Sequence, residues 1–288
     1  MEIADKDVRE FQKAVLENSP YDFSGYTLNS LKRRLVKVLE EYGADAGRLI
    51  RTISNDPIAL EEVVKKITVN TTELFRDPDM WIQMMNRLLP RYKSHSELHI
   101  WHPGCSTGQE VYSMMIVLDQ MGLLRKSHIY ASDINTDVLE KAAKGTYRLR
   151  FNREYIDNYN SVFRNRSNGS AGKDFAPHEK YFRIDEARDR IKMNDSLRKL
   201  PAYKKIDLVT EKNLFEKKFD IIICRNVIIY FNYELQNKVL STLHDNLQSN
   251  GALVLGVHES IIGTSAKLFT REDQFYIKRN QSDWQYTG

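Results

Sequence analysis

Four short stretches hold the residue types that could bind a ligand and act on it. The first, His102-Pro103-Gly104-Cys105-Ser106-Thr107-Gly108-Gln109-Glu110, sets two glycines around small polar residues. Such a turn lets backbone approach a ligand closely, with a helix N-terminus to follow. It is neither the dinucleotide GxGxxG fingerprint nor a P-loop, which needs Gly-Lys-Ser/Thr. Taken alone, it serves equally well as a tight strand-to-helix connection. About 25 residues on, Ala131-Ser132-Asp133-Ile134-Asn135 offers an acid able to accept from both ribose hydroxyls. A lone Asp also reads as a helix cap, but turn and acid together favour an adenosine ligand. Asn213-Leu214 offers an amide and an apolar side chain to an adenine ring, or simply a turn. Finally, Cys224-Arg225-Asn226-Val227-Ile228-Ile229-Tyr230-Phe231 puts Arg, Asn and Tyr at the end of an apolar run. Burying those groups is costly without partners, so the run reads as part of a polar site.

The elements that would carry these stretches follow from periodicity. His99-Ile100-Trp101, Ile129-Tyr130-Ala131, Ile206-Asp207-Leu208-Val209, Asp220–Cys224 and Ala252–Leu255 look like short strands. Helical stretches over Gln109–Gln120, Thr136–Lys144 and Tyr233–Gln248 separate most of them. Near-continuous apolar strands alternating with helices predict a doubly wound α/β domain with a parallel sheet. In such a sheet ligands bind at the carboxyl ends of the strands, where all four stretches fall. Residues 1–67 read as a helical N-terminal domain, with Asp56-Pro57 capping a helix through about Lys66. Residues 68–78 break the periodicity and read as a linker that contributes to the ligand site. Residues 79–288 form the α/β domain. It is interrupted at about 151–204, where Lys180–Ile184 and Arg190–Met193 suggest an antiparallel insertion joined by the turn Asp185–Asp189.

Composition excludes several classes. The 288 residues carry 43 Lys+Arg against 39 Asp+Glu, and a formal charge of +4 is too small for a dedicated nucleic-acid binder. No apolar run approaches the roughly 18–20 residues of a membrane span. Met1–Asp7 lacks the apolar stretch of a signal peptide. The two cysteines, Cys105 and Cys224, are far apart and make neither a disulfide framework nor a zinc site. The expectation is a reduced, cytoplasmic protein with no metal centre, no nucleic-acid partner and no membrane insertion.

The motifs in order resemble those of the chemotaxis receptor methyltransferases, the CheR family. That family's pattern runs Asn-x-Thr-x-x-x-Arg, Cys-Ser-Thr-Gly-x-Glu, Ser-Asp-Ile, Asn-Leu and Cys-Arg-Asn-Val-x-Ile-Tyr-Phe. Here it is matched by Asn70–Arg76, Cys105–Glu110, Ser132-Asp133-Ile134, Asn213-Leu214 and Cys224–Phe231. The resemblance implies a Rossmann-like S-adenosylmethionine-dependent methyltransferase domain with a small antiparallel β-subdomain, preceded by an all-α domain. It implies methyl transfer to receptor glutamates, giving γ-glutamyl methyl esters and S-adenosylhomocysteine. By position it implies that Asn70, Thr72, Arg76, Glu110, Asp133, Asn213, Leu214, Arg225 and Asn226 line the cofactor site. Arg76 and Tyr230 would stand nearest the methyl group. Three features depart from the pattern: Gln109 replaces a second acid, His102-Pro103-Gly104 replaces small apolar residues, and Gly256-Val257-His258-Glu259-Ser260 replaces Gly-His-Ser-Glu-Ser.

The chemistry is consistent with that reading. A glutamate side chain has a pKa of about 4.3 and is already an anionic nucleophile at neutral pH. No general base is needed, and the chain has no Cys-His or Ser-His-Asp pattern. Arg76 is suited to orient a carboxylate through its planar fork, although an ion pair to Asp77 or Asp79 would explain it too. The basic run Lys32-Arg33-Arg34-Leu35-Val36-Lys37 is either a solvated face or a surface steering toward acidic receptor helices. Some relatives of this kind capture a receptor C-terminal peptide on the β-subdomain edge. The rival expectations are a methyltransferase acting on another protein, nucleic acid or a small molecule, and a non-catalytic scaffold that senses the cofactor.

Overall fold

The structure, a computed structural model, describes residues 3–163, 175–211 and 215–280. Asn213 and Leu214, and the polar segment Asn165–Gly172, lie outside the described residues.

Four helices make the N-terminal part: α1 (Asp5–Asn18), α2 (Leu28–Tyr42), α3 (Ala46–Asn55) and α4 (Pro57–Ile67). Local chemistry sets their ends. Gly43 closes α2 in the left-handed region at φ +55°, and Asp45 caps α3 by accepting from Arg48 N at 2.7 Å. Asp56 caps α4 through Ile58 N and Ala59 N, with Pro57 in the first turn as expected. Their apolar faces close on one core around Phe11, Leu35, Leu49 and Val63.

The α/β part adds α5 (Pro78–Gln83), β1 (Leu98–Pro103), α6 (Gln109–Gln120), β2 (Ser127–Asp133), α7 (Thr136–Lys144), β3 (Thr146–Tyr147) and α8 (Glu154–Phe163). It continues through β4 (Phe182–Asp185), β5 (Arg190–Met193), α9 (Asp195–Arg198), β6 (Ala202–Lys205), β7 (Phe219–Cys224), α10 (Tyr233–Asn246), β8 (Leu247–Leu255), β9 (Phe269–Glu272) and β10 (Phe275–Lys278). The main sheet runs β6-β2-β1-β7-β8-β10-β9. Its first five strands are parallel, and β10 pairs antiparallel with both β8 and β9. This is a Rossmann-like sheet with a reversed edge hairpin. All six residues of β7 are buried, because helices cover both faces of a central parallel strand. One apolar core, around Trp81, Met115 and Ile221, lies on one face; a second, around Trp101, Phe219 and Leu243, lies on the other.

The expected parallel core is present, and the hairpin of β9 and β10, which no sequence pattern marked, extends it in the antiparallel sense. The strand expected at Ile206–Val209 is also shifted: β6 is Ala202–Lys205, and Ile206 and Val209 follow it into the core. An edge strand written Ala-Tyr-Lys-Lys has no apolar run to mark it. Helix α10 stops at Asn246, short of the expected Gln248, because β8 begins at Leu247. The antiparallel hairpin pairs as expected, Phe182 with Met193 through Asp185 with Arg190. A third strand, β3, joins it from Thr146–Tyr147, ahead of the 151–204 stretch.

Candidate active site

A cleft of about 1140 Å³, open mouth included, lies at the carboxyl ends of β1, β2 and β7. Its walls bring together Asn70, Thr72, Arg76, Glu110, Asp133, Arg225, Asn226 and Tyr230, which are spread over 161 positions of the chain (70 to 230, inclusive).

The floor is the β1–α6 turn. Gly104 and Gly108 hold φ +68° and +87°. A Cβ on Gly104 would stand 2.6 Å from Val227 Cγ2, so both the conformation and the close approach require glycine. Cys105 N donates to Ser132 O at 2.9 Å, binding the turn to β2. Asp133, 7% exposed, ends β2. Its Oδ2 accepts from Ser106 N at 2.8 Å and its Oδ1 from Asn135 N at 3.0 Å. Burial raises its carboxyl above the ordinary Asp value, and the N–H donors at Asn135, Ser106 and Ile134 pull the other way. Asp133 lines the cleft, and with three backbone donors its carboxylate keeps capacity for a ligand hydroxyl.

The segment after α4 forms one wall. Between Ile67 and Pro78 it has no helix or strand, and core side chains satisfy its backbone instead. Phe75 N donates to Ser113 Oγ at 2.8 Å, Leu74 O accepts from Asn158 Nδ2 at 3.0 Å, and Arg76 O accepts from Trp81 Nε1 at 3.0 Å. Phe75 and Asp77 sit at φ +54° and +55°, flanking Arg76 with strained backbone. The Arg76 guanidinium makes no hydrogen bond or ion pair among the described residues. Arg76 forms no ion pair with Asp77 or Asp79 among the described residues. Asp77 is paired with Arg225 instead.

Arg225 is the bracket of the site. Its guanidinium is 1% exposed and reaches Asp77 Oδ2, Arg76 O at 3.2 Å and Glu110 Oε2 at 3.3 Å. The second Glu110 oxygen lies 3.0 Å from His102 Nδ1. His102, a departure from the family pattern, thus fills the core behind the turn and orients Glu110. Gln109 is likewise spent on structure. Its Nε2 donates to Tyr155 OH at 2.8 Å and its Oε1 accepts from Thr107 Oγ1 at 2.7 Å, a dual role no carboxylate fills.

The last wall is the loop after β7. Glu259, assigned no role from sequence, is 8% exposed and accepts four backbone N–H groups: Asn226 and Gly256 at 2.7 Å, Val227 at 2.9 Å and Ile229 at 3.3 Å. Burial pushes its carboxyl up while those donors pull it down. Glu259 is the fourth residue after β8 and matches the Glu of the family's Gly-His-Ser-Glu-Ser run, but no local pattern shows that it anchors this loop. Tyr230 follows. Its carbonyl accepts from Thr27 N at 3.0 Å, and Asn232 N donates to Gly25 O at 2.7 Å, so the helical part is docked against this loop. The Tyr230 hydroxyl makes no hydrogen bond among the described residues.

Arg34 was expected to belong to a basic face of α2. It instead lines the cleft, with its Nε buried and unpartnered, as is Ser106 Oγ. Lys32 pairs with Asp5, and Arg33 is exposed. Cys105 and Cys224 are buried thiols pushed well above their ordinary value by burial and by nearby carboxylates, which leaves them unreactive.

An acid at the end of β2, two unpartnered buried polar atoms and a glycine turn suit a nucleoside-sized ligand with its own hydrogen-bonding groups. The relatives agree. The family model described as "CheR methyltransferase, SAM binding domain" matches residues 70–174 and 173–277. Cher3 of Pseudomonas putida is 34% identical over 89% of this chain and 89% of its own length. A chemotaxis protein methyltransferase of Listeria monocytogenes is 27% identical over 95% and 98%, and one of Borreliella burgdorferi is 30% identical over 73% and 71%. The chain belongs to the CheR methyltransferase family, and its α/β part is that family's S-adenosylmethionine-binding domain.

Proposed function

We propose that this protein methylates glutamate side chains of chemoreceptors, the adaptation reaction of chemotaxis, forming γ-glutamyl methyl esters. The observation that carries the reading is the pairing of an uncommitted Arg76 guanidinium and an uncommitted Tyr230 hydroxyl on one cleft that ends in Asp133. Bound S-adenosylmethionine supplies an electrophilic methyl on sulfonium, which leaves its bonding electrons on sulfur as the carboxylate oxygen forms the new C–O bond.

The residues divide this work. Asp133 accepts from the ribose hydroxyls. Asn70, Thr72, Glu110 and Asn226 hold the amino-acid end, with Arg225 bracing Glu110 from behind. Arg76 draws the acceptor carboxylate out of water and aims one oxygen at the methyl. Tyr230 fixes the geometry from the other side. No proton moves, so the reaction needs no general base; the Glu73 carboxylate that faces Arg76 across the same lining is not called on as one.

Substrate recognition rests on charge. Exposed Arg33 and Lys37 steer acidic receptor helices toward the cleft that Arg34 lines. The free edge of β4 is where a receptor C-terminal peptide would add a strand.

The test is transfer of radiolabelled methyl to membranes containing chemoreceptors, followed by mild base. Label released by base marks an ester and supports the reading. Base-stable label points to N- or C-methylation, and absence of label to a scaffold; either overturns it. The same assay with receptors lacking their C-terminal tails decides the peptide contact.

A further inference from the structure

At the end of the sheet opposite the cleft, two imidazoles and a carboxylate converge. His99 on β1 and His128 on β2 are direct partners in the parallel register, so both side chains leave the same face of neighbouring strands. Their rings lie 4.8 Å apart at 15°. Glu97, just before β1, reaches back between them: its Oε2 is 3.5 Å from His99 Nε2 and its Oε1 is 3.9 Å from His128 Nε2. One donor atom from each residue lies within 4.8 Å of the other two, the only such group of three among the described residues.

These spacings have a chemical meaning. Two donors bound at about 2.0–2.1 Å to a tetrahedral ion sit roughly 3.4 Å apart. The two Glu97–imidazole separations, 3.5 and 3.9 Å, are within about half an ångström of that. The two imidazoles are stacked, so rotation of the half-exposed His128 ring out of the stack, with the exposed Glu97, brings all three donors onto one ion. The set is further prepared by its neighbours. Tyr130 OH lies 3.5 Å from His99 Nδ1, the outer contact that fixes a ligating histidine with Nε2 free. Asp220 Oδ2 accepts from His99 N at 2.8 Å, which pins the strand end. His95 is turned away toward Asp220, 3.7 Å off, and Lys126 donates into the carbonyls of Tyr92, Lys93 and His95, so neither blocks the position between the three donors.

We infer that Glu97, His99 and His128 bind one divalent transition-metal ion, with Zn²⁺ the best match for two imidazoles and a carboxylate. Magnesium and calcium, which prefer all-oxygen shells, are excluded by the donor set. The ion bridges β1 and β2, with a fourth position left for water. It lies outside the cleft, so it acts on stability and not on methyl transfer: an ion bound only by the folded chain raises the melting temperature with its concentration.

The experiment uses the untagged full chain, freed of metal by chelation, and titrates ZnCl₂ by calorimetry and by thermal melting, with MgCl₂ as control. One equivalent of Zn²⁺ should bind and raise the melting temperature, with no effect of Mg²⁺. His128→Ala and, as a milder change at an exposed position, Glu97→Gln should each weaken Zn²⁺ by about tenfold or more. Their metal-free melting temperature and methyl transfer should match wild type. No binding by wild type, or equal binding by wild type and both variants, overturns the inference.

Discussion

Glu259 Oε2 accepts the backbone N–H of Asn226 at 2.7 Å, and Asn226 is held there in the left-handed region at φ +59°. One buried carboxylate thereby fixes the strained first turn of the loop that carries Tyr230. Glu259→Gln puts an amide donor against N–H donors and leaves part of the set unsatisfied. It should lower stability by about 1–3 kcal/mol and, through misplacement of the loop, slow methyl transfer by about a hundredfold. Melting curves and initial rates check this; wild-type values for both would contradict it.

Arg76 is the cleanest functional substitution, because its guanidinium has no hydrogen-bond or ion-pair partner among the described residues. Arg76→Ala should leave the melting temperature unchanged and cut methyl transfer by about a hundredfold or more. A large loss of stability would instead assign Arg76 to the scaffold.

Tyr230→Phe removes only the hydroxyl and keeps the Tyr230 carbonyl that receives Thr27 N. Methyl transfer should fall about 10- to 100-fold at saturating cofactor, with the melting temperature retained. An unchanged rate would remove Tyr230 from the reaction.

Binding of the cofactor product should respond to acid through Asp133. Burial raises its carboxyl above the ordinary value of 3.8. The ionised form accepts from ribose, so affinity is full above the raised pKa and is lost as pH falls through it. Calorimetric titration of S-adenosylhomocysteine across the acid range should give a midpoint above 3.8, and Asp133→Asn should flatten the profile. A pH-independent affinity down to the ordinary Asp range would contradict this assignment.

Arg33 and Arg34 should separate by salt. Reversing exposed Arg33 to Glu alters encounter with an acidic receptor, so its penalty should shrink as ionic strength rises. Arg34, lining the cleft with a buried Nε, should cost activity at high salt too. Identical salt profiles for the two variants would show that both act only through long-range steering.

The legible parts of this protein were those with local causes. Gln109–Gln120 and Thr136–Lys144 are α6 and α7 to the residue, because glycine and asparagine caps mark their ends. Seven contiguous motif residues, Asn70 to Arg76, announced a site wall although no periodicity runs through them. What stayed hidden depends on partners far along the chain. Arg225 read as a ligand group, yet its guanidinium is committed to Asp77 and Glu110, 148 and 115 positions away. Glu259 gained its importance only when its loop folded back on residues 226–229. Arg34 reads from sequence as one of four cations on a helix, and only the docking of α2 on the α/β part turns it toward the cleft. The Glu97–His99–His128 group depends on the register of β1 against β2, which no local pattern encodes.

The central claim is that Arg76 and Tyr230 face each other across the point where methyl leaves sulfur. A crystal structure with S-adenosylhomocysteine bound tests it most directly. The account predicts ribose hydroxyls on Asp133 and the sulfur between the Arg76 guanidinium and the Tyr230 hydroxyl. A product whose sulfur points away from both side chains would contradict it.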